Sequence, residues 1–101
     1  MAKITKEEAF RILSNVPEEN KFWCNNGSVL TNLQELETAL KIMSNETFSY
    51  HANQERNDFS NWIKDIIKDE RLANDLVKAK SKNNALKKLR NRLSTLKRIK
   101  R

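Results

Sequence analysis

Residues 81–101 read SKNNALKKLRNRLSTLKRIKR, with apolar residues on one side of a helix and basic residues on the other. The apolar positions follow at steps of three, four, three and three residues: Leu86, Leu89, Leu93, Leu96 and Ile99. This spacing predicts an amphipathic helix of about twenty residues with Ser81 as its N-cap. Because a helix this charged is not stable alone, its leucine side must dock on the rest of the chain, on a second copy or on a partner.

The charge of the chain is divided sharply along its length. Residues 1–77 hold all thirteen acidic residues and nine Lys or Arg, so nine minus thirteen gives −4. Residues 78–101 hold eleven basic residues and no acidic one, which gives +11. A basic stretch is often only a solvated face, yet this excess favours a polyanion as partner. We predict that nucleic acid, DNA or RNA, binds to Lys78, Lys80, Lys82, Lys87, Lys88, Arg90, Arg92, Lys97, Arg98, Lys100 and Arg101.

Three partners fit a cationic amphipathic helix, and the sequence ranks them. Nucleic acid comes first, and because residues 78–101 hold no aromatic side chain to read bases, we expect phosphate contacts that are independent of sequence. A protein partner or a second copy, docked on the leucine side, comes second. A membrane surface comes third, since the apolar side lacks Trp and Phe. DNA, RNA and a ribosome surface are not separated.

The composition predicts a mainly α fold. One Gly and one Pro among 101 residues disfavour a turn-rich β domain. We predict a compact bundle of about five short helices, one small β-hairpin near residues 21–31 and the long basic C-terminal helix. Residues 1–80 form an acidic helical core in this scheme, and residues 81–101 form the basic helix.

Two early segments carry specific packing expectations. A helix over Thr5–Val16 should bury one side formed by Ala9, Phe10, Leu13 and Val16. The hairpin should turn at Asn25-Asn26-Gly27 and pack Phe22, Trp23, Val29 and Leu30 partly on the helices. A later helix that Asp69 caps should bury the face that includes Leu76 and Val77.

Residues 48–62 hold the only histidine together with several aromatic residues. We interpret the group as a structural cluster of Phe48, Tyr50, His51, Asn57, Asp58, Phe59 and Trp62. His51 should bond to Asp58 or to a helix end, and the Asn57-Asp58 pair should cap the next helix. In the alternative, Trp23, Tyr50 and His51 are exposed and stack on unpaired bases.

Patterns of enzymes, metal sites and membrane proteins are missing from the sequence. It has no Gly-rich phosphate loop, no Cys-x-x-Cys and no nucleophile elbow, so we predict a non-enzymatic protein without a cofactor. The single cysteine and single histidine do not make a metal site. The charged start MAKITKEEAF is unlike a signal peptide and no segment is long and apolar enough to span a membrane, so a cytoplasmic protein is expected.

Residues 44–76, SNETFSYHANQERNDFSNWIKDIIKDERLANDL, also resemble the sequences of a known protein family. Its pieces are Phe48 with Tyr50-His51, then Asn57-Asp58-Phe59, Trp62-Ile63 and Leu72-Ala73. With FWCNNGSVLTNLQELETAL at residues 22–40, the chain resembles an uncharacterised domain-of-unknown-function family of small, mainly archaeal proteins over roughly residues 5–80. The resemblance implies a shared fold and no known activity.

Overall fold

The structure is a computed structural model that describes residues 4–101, so the first three residues of the predicted 1–80 region lie outside it. Its elements are α1 (Lys6–Leu13), β1 (Phe22–Trp23), β2 (Val29–Leu30), α2 (Leu33–Ile42), α3 (Asn45–His51), α4 (Asp58–Trp62), α5 (Glu70–Val77) and α6 (Lys82–Lys100). A 3₁₀ turn (Glu18–Asn20) precedes β1, and a π-helical turn (Ile63–Ile67) continues α4. The predicted helical bundle with one hairpin and a long basic C-terminal helix is confirmed.

Each of the six described helices begins at a capping side chain. In every case a Ser, Thr, Asn or Asp oxygen accepts the backbone N–H of the third residue after it. The caps are Thr5, Asn32, Ser44, Asn57, Asp69 and Ser81. Because these bonds satisfy N–H groups that have no partner inside the helix, the sequence itself specifies where each helix starts.

Helix α6 forms one side of the hydrophobic core. Its leucine side packs against α1, α2 and α5. Leu89 and Leu96 are fully buried, Leu86 and Leu93 nearly so, and Ile99 is partly buried. Of the three docking surfaces considered for this helix, the structure therefore uses the body of the same chain. The predicted division at residue 80 falls in the turn between α5 and α6.

The hairpin packs only one of its two faces on the helices. Phe22 pairs with Leu30 and both are buried, whereas Trp23 pairs with Val29 on the opposite face. Trp23 is 73 % exposed, so the prediction that it packs on the helices is wrong. The reason is that successive strand residues point to opposite sides, and a two-stranded hairpin has helices on one side only.

Two other residues assigned to the core lie at the surface. Phe10 is 59 % exposed, because α1 turns Ala9 and Ile12 inward and Phe10 lies about 100° around the helix from Ala9. Helix α1 also ends at Leu13, before the predicted end at Val16. Val77, the last residue of α5, is 61 % exposed. The predictions that Phe10 and Val77 are buried are wrong.

Candidate nucleic-acid interface

Arg92 is bound to a buried carboxylate inside the protein. Its guanidinium donates two hydrogen bonds to Asp69, from Nε to Oδ2 and from Nη2 to Oδ1, each 2.8 Å long. The Arg92 side chain is 11 % exposed and that of Asp69 is 2 % exposed. Asp69 also caps α5 by accepting the N–H of Leu72. One carboxylate therefore ties α6 to the start of α5, and Arg92 is occupied.

Three further basic residues of α6 reach across to α2 and its end. Lys82 Nζ donates to the Met43 carbonyl oxygen (2.7 Å), Arg90 Nε to Glu37 Oε2 (2.9 Å) and Lys97 Nζ to Gln34 Oε1 (2.7 Å). These bonds line the flank of α6 that faces α2. Together with Arg92 they form a set that we call the anchored cations: Lys82, Arg90, Arg92 and Lys97. Four of the eleven predicted binding residues thus have partners within the chain.

The side of α6 opposite the leucines carries polar side chains that can all donate hydrogen bonds. We call it the outer stripe, and it consists of Asn84, Lys87, Asn91, Ser94, Arg98 and Arg101. These residues follow at steps of three, four, three, four and three, so they lie along one line of the helix, and all six are exposed. The stripe contains neither a carboxylate nor an apolar side chain. It includes three of the predicted binding residues: Lys87, Arg98 and Arg101.

Three of the four remaining predicted binding residues lie before or beside this stripe, and the fourth, Lys100, lies on the side of α6 that faces α1. Lys78 and Lys80 are exposed at the end of α5 and in the turn before α6. Lys88 is half-buried in a groove of about 380 Å³ between α5 and α6, where Arg71 and Asp75 also lie. The structure thus brings several exposed cations to the outer side of α6 and the turn before it.

His51 lies inside the protein as part of a hydrogen-bonded unit. It is 4 % exposed, its Nε2 accepts the N–H of Asn25 (2.8 Å), and its Nδ1 lies 2.9 Å from Asp58 Oδ2. A neutral ring with the proton on Nδ1 satisfies both contacts. The ring also packs edge-on against Phe22, with 5.2 Å between centroids. His51 therefore joins the hairpin to α3 and α4 and offers no surface for stacking.

The other members of the predicted structural cluster divide between core and surface. Phe48, Phe59 and Trp62 are buried, and Trp62 Nε1 donates to the Asn20 carbonyl oxygen (2.8 Å). The Asn57 side chain caps α4. Tyr50 is the exception, because it is 51 % exposed, with the Arg56 guanidinium 5.0 Å from its ring centroid. Exposed Trp23 and Tyr50 thus lie outside the buried cluster, whereas His51 lies within it.

The sequence prediction missed an exposed aromatic residue next to α6. Phe10 borders a depression of about 440 Å³, and the Lys100 ammonium lies 5.1 Å from the centroid of its ring. We call this area the Phe10 surface; it is lined by Lys6, Glu7, Phe10, Arg11, Ser14 and Lys100. Periodicity did not identify it, because Ala9, Phe10, Ile12 and Leu13 of this eight-residue helix fit more than one helical face.

Residues 4–101 contain neither a cluster of metal-binding side chains nor a membrane-spanning helix. No group of three or more His, Cys, Asp or Glu side chains there could hold a metal ion. In the same residues, no helix has the length and apolar character needed to cross a membrane.

Comparison with known protein families shows a match. A family model described as "Family of unknown function (DUF5752)" matches residues 15–98. No curated protein and no solved structure matches the chain. The resemblance to a family of unknown function is therefore confirmed, and the matched range extends past the expected residue 80 through most of α6. The archaeal source that the resemblance implied stays a prediction.

Proposed function

We propose that this chain, which belongs to DUF5752, a family of unknown function, is a non-enzymatic protein that binds nucleic acid through phosphate contacts on α6. Because the family has no known function, the support for this role comes from the surface of the chain itself. The outer stripe carries this proposal. Six consecutive exposed positions of one helix line offer donors and no acceptor carboxylate. Phosphate oxygens are the partners that such a line of Lys, Arg, Asn and Ser side chains suits.

The stripe is presented on a helix that is already held in place. Leucines bury the inner side, the Asp69–Arg92 pair holds one flank, and bonds to α2 hold the other. Binding therefore does not have to order the helix, and less free energy is lost on association.

The length of the stripe suits several phosphates of one strand. Lys87 and Arg98 are eleven residues apart, or about 16 Å along the helix, over which one strand of B-DNA places about five phosphates. Lys80 and Lys88 lie beside the stripe and can add contacts. The nearby carboxylates Glu37 and Asp69 already accept Arg90 and Arg92, so they oppose the phosphates less than free carboxylates.

The proposal makes binding independent of base sequence, and it leaves DNA and RNA as equivalent ligands. Phosphates carry no sequence information, and the outer stripe has no side chain that stacks on a base. We place this activity in the cytoplasm, where a lone buried thiol such as Cys24 stays reduced. The competing protein-partner role would require the leucines to leave the core in which they are buried.

The salt dependence of binding tests the proposal. If about three to five cations contact phosphate, log affinity for duplex DNA should fall against log salt with a slope of about −3 to −4.5. The double change Lys87→Gln/Arg98→Gln should flatten the slope by about two units. The matched control is Lys64→Gln/Lys68→Gln, which removes the same charge from exposed positions outside α6 and should change the slope little.

Two results would contradict the proposal. One is the absence of any salt-sensitive affinity for DNA or RNA at moderate ionic strength. The other is an equal effect of the two double changes, which would show that net charge and not the outer stripe governs binding.

A further inference from the structure

We propose that the Phe10 surface is a stacking platform for an unpaired base, so that the preferred ligand is single-stranded nucleic acid. This inference rests on the proposed function and names its substrate class. The residues after position 77 have no aromatic side chain, and the fold supplies one from α1. Proteins that hold single strands combine a basic track for the backbone with aromatic side chains for the bases.

The surroundings of Phe10 favour a nucleotide over an apolar partner. Phe10 is 59 % exposed and is the only apolar residue among the described residues that line the depression, which include Lys6, Arg11 and Lys100 against one carboxylate, Glu7. An interface for a protein partner would need a contiguous apolar patch. An isolated aromatic ring with an excess of cations instead complements a base that is attached to a phosphate.

The Phe10 surface lies near the C-terminal end of the outer stripe. Lys100 lies on the side of α6 that packs against α1, and it is next in sequence to Arg101, the last cation of the stripe. A strand whose phosphates follow the stripe to Arg101 reaches Lys100 and the Phe10 ring by turning around the C-terminal end of α6. One base can then leave the backbone track and stack on Phe10.

Lys100 has two uses on this surface. In the free protein its ammonium lies over the ring, 5.1 Å from the centroid. An exposed cation–π contact of this kind is weaker than the stacking of a base on an aromatic ring. When a nucleotide binds, the flexible Lys100 side chain moves to its phosphate and leaves the ring to the base.

The platform itself is held firmly. The guanidinium of Arg11, the next residue of α1, donates to the carbonyl oxygens of Ile67 (2.8 Å) and Lys68 (3.4 Å). The Ser14 hydroxyl donates to the Phe10 carbonyl oxygen (2.6 Å). The backbone that carries the Phe10 ring is thus bound to the rest of the domain, and the exposed ring projects from a fixed position.

Affinity for matched single strands and duplexes tests this inference. The probes are an oligothymidylate, its ribose counterpart and a DNA duplex of the same length, at one salt concentration. The wild-type protein should bind the single strands more tightly than the duplex. Phe10→Leu should lower single-strand affinity about tenfold and leave duplex affinity unchanged, because a paired base is not free to stack. Phe10→Tyr keeps the ring and should retain wild-type affinity.

Trp23→Leu is the matched control. Trp23 is exposed at 73 % but lies on the outer face of the hairpin, so its loss should change neither affinity. If Trp23→Leu lowers single-strand affinity as much as Phe10→Leu does, the inference is overturned. The same holds if Phe10→Leu leaves single-strand affinity unchanged, or lowers single-strand and duplex affinity equally, and in both cases the proposed function stands. If the wild-type protein binds none of the probes, the proposed function itself fails.

Discussion

Lys87 and Arg92 lie five residues apart on one helix and have opposite environments. Arg92 is almost buried and forms two hydrogen bonds with Asp69, whereas Lys87 is exposed on the outer stripe. In the sequence both belong to the same run of basic residues. Their angular position on α6 and the presence of an acidic partner separate them. A run of charge is therefore a mixture of residues that hold the fold and residues that face a partner.

The same contrast applies to the two sides of α6 as a whole. The inner side contributes Leu86, Leu89, Leu93 and Leu96 to the core, and the flanks add the anchored cations. The outer stripe contributes no buried side chain. Changes on the inner side and flanks should therefore act on stability, and changes on the outer stripe should act on nucleic-acid binding.

The largest effect is expected when the whole helix is removed. A chain that ends at Lys80 loses four buried leucines and exposes the apolar side of α2, including fully buried Leu33, Leu36 and Leu40. Each buried leucine is worth about 2–5 kcal/mol, while a whole domain has a free energy of unfolding of about 5–15 kcal/mol. The truncated chain should therefore show no cooperative thermal transition by circular dichroism.

This expectation reverses the one that follows from the sequence alone. Caps and apolar stripes are complete by Val77, and on that basis residues 1–80 should fold without the tail. A cooperative transition in the chain that ends at Lys80 would show that α6 is an appendage, and its leucines would then be open to a partner. A chain that ends at Lys100 is the control and should melt like the full-length protein.

Within α6, the changes Arg92→Ala and Lys87→Ala compare the two environments directly. Arg92→Ala leaves the buried Asp69 carboxylate without its cation and should lower the free energy of unfolding by about 3–5 kcal/mol. Lys87→Ala, at an exposed position, should change it by no more than about 0.5 kcal/mol. Urea titration at constant pH measures both values.

The Asp69→Asn variant separates the ion pair from the helix cap, because the Asn side chain still accepts the Leu72 N–H. The double variant Asp69→Asn/Arg92→Ala should lose less stability than the sum of the two single changes, since Arg92→Ala then removes a cation whose partner at position 69 is already uncharged. Strict additivity would mean that the pair contributes no interaction of its own, and Arg92 would then be available for a ligand.

The helix starts and the mainly α fold class could be predicted, because they depend on residues that are close together in the sequence. Ser81 and Asp69 are capping residues in front of periodic apolar segments, and the structure has helices at both places. The positions of Trp23 and Phe10 depend instead on which elements pack above them. A hairpin of two short strands and a helix of eight residues have too few apolar residues for periodicity to identify the inner face.

The candidate interface was predictable in charge but not in geometry. An excess of basic residues in positions 78–101 is visible in the sequence, and the outer stripe carries three of them. That Arg92 is bound to Asp69, 23 positions away, is visible only when α5 and α6 lie together. The same holds for the contact between Phe10 and Lys100, which joins the two ends of the chain.

The smallest expected effect is that of Arg90→Gln, which tests a residue whose environment is intermediate between those of Arg92 and Lys87. Arg90 is 49 % exposed, but its Nε donates to Glu37 Oε2. A pair of this exposure contributes about 0.2–1 kcal/mol to stability. Because Glu37 competes with phosphate for Arg90, the salt slope of DNA binding should flatten by less than about half a unit, compared with about 0.9 for Lys87→Gln.

Glu37→Gln, which frees Arg90, should steepen the slope toward one additional phosphate contact. If Arg90→Gln flattens the slope as much as Lys87→Gln does, Arg90 leaves Glu37 when nucleic acid binds, and the binding surface extends from the outer stripe onto the flank that faces α2.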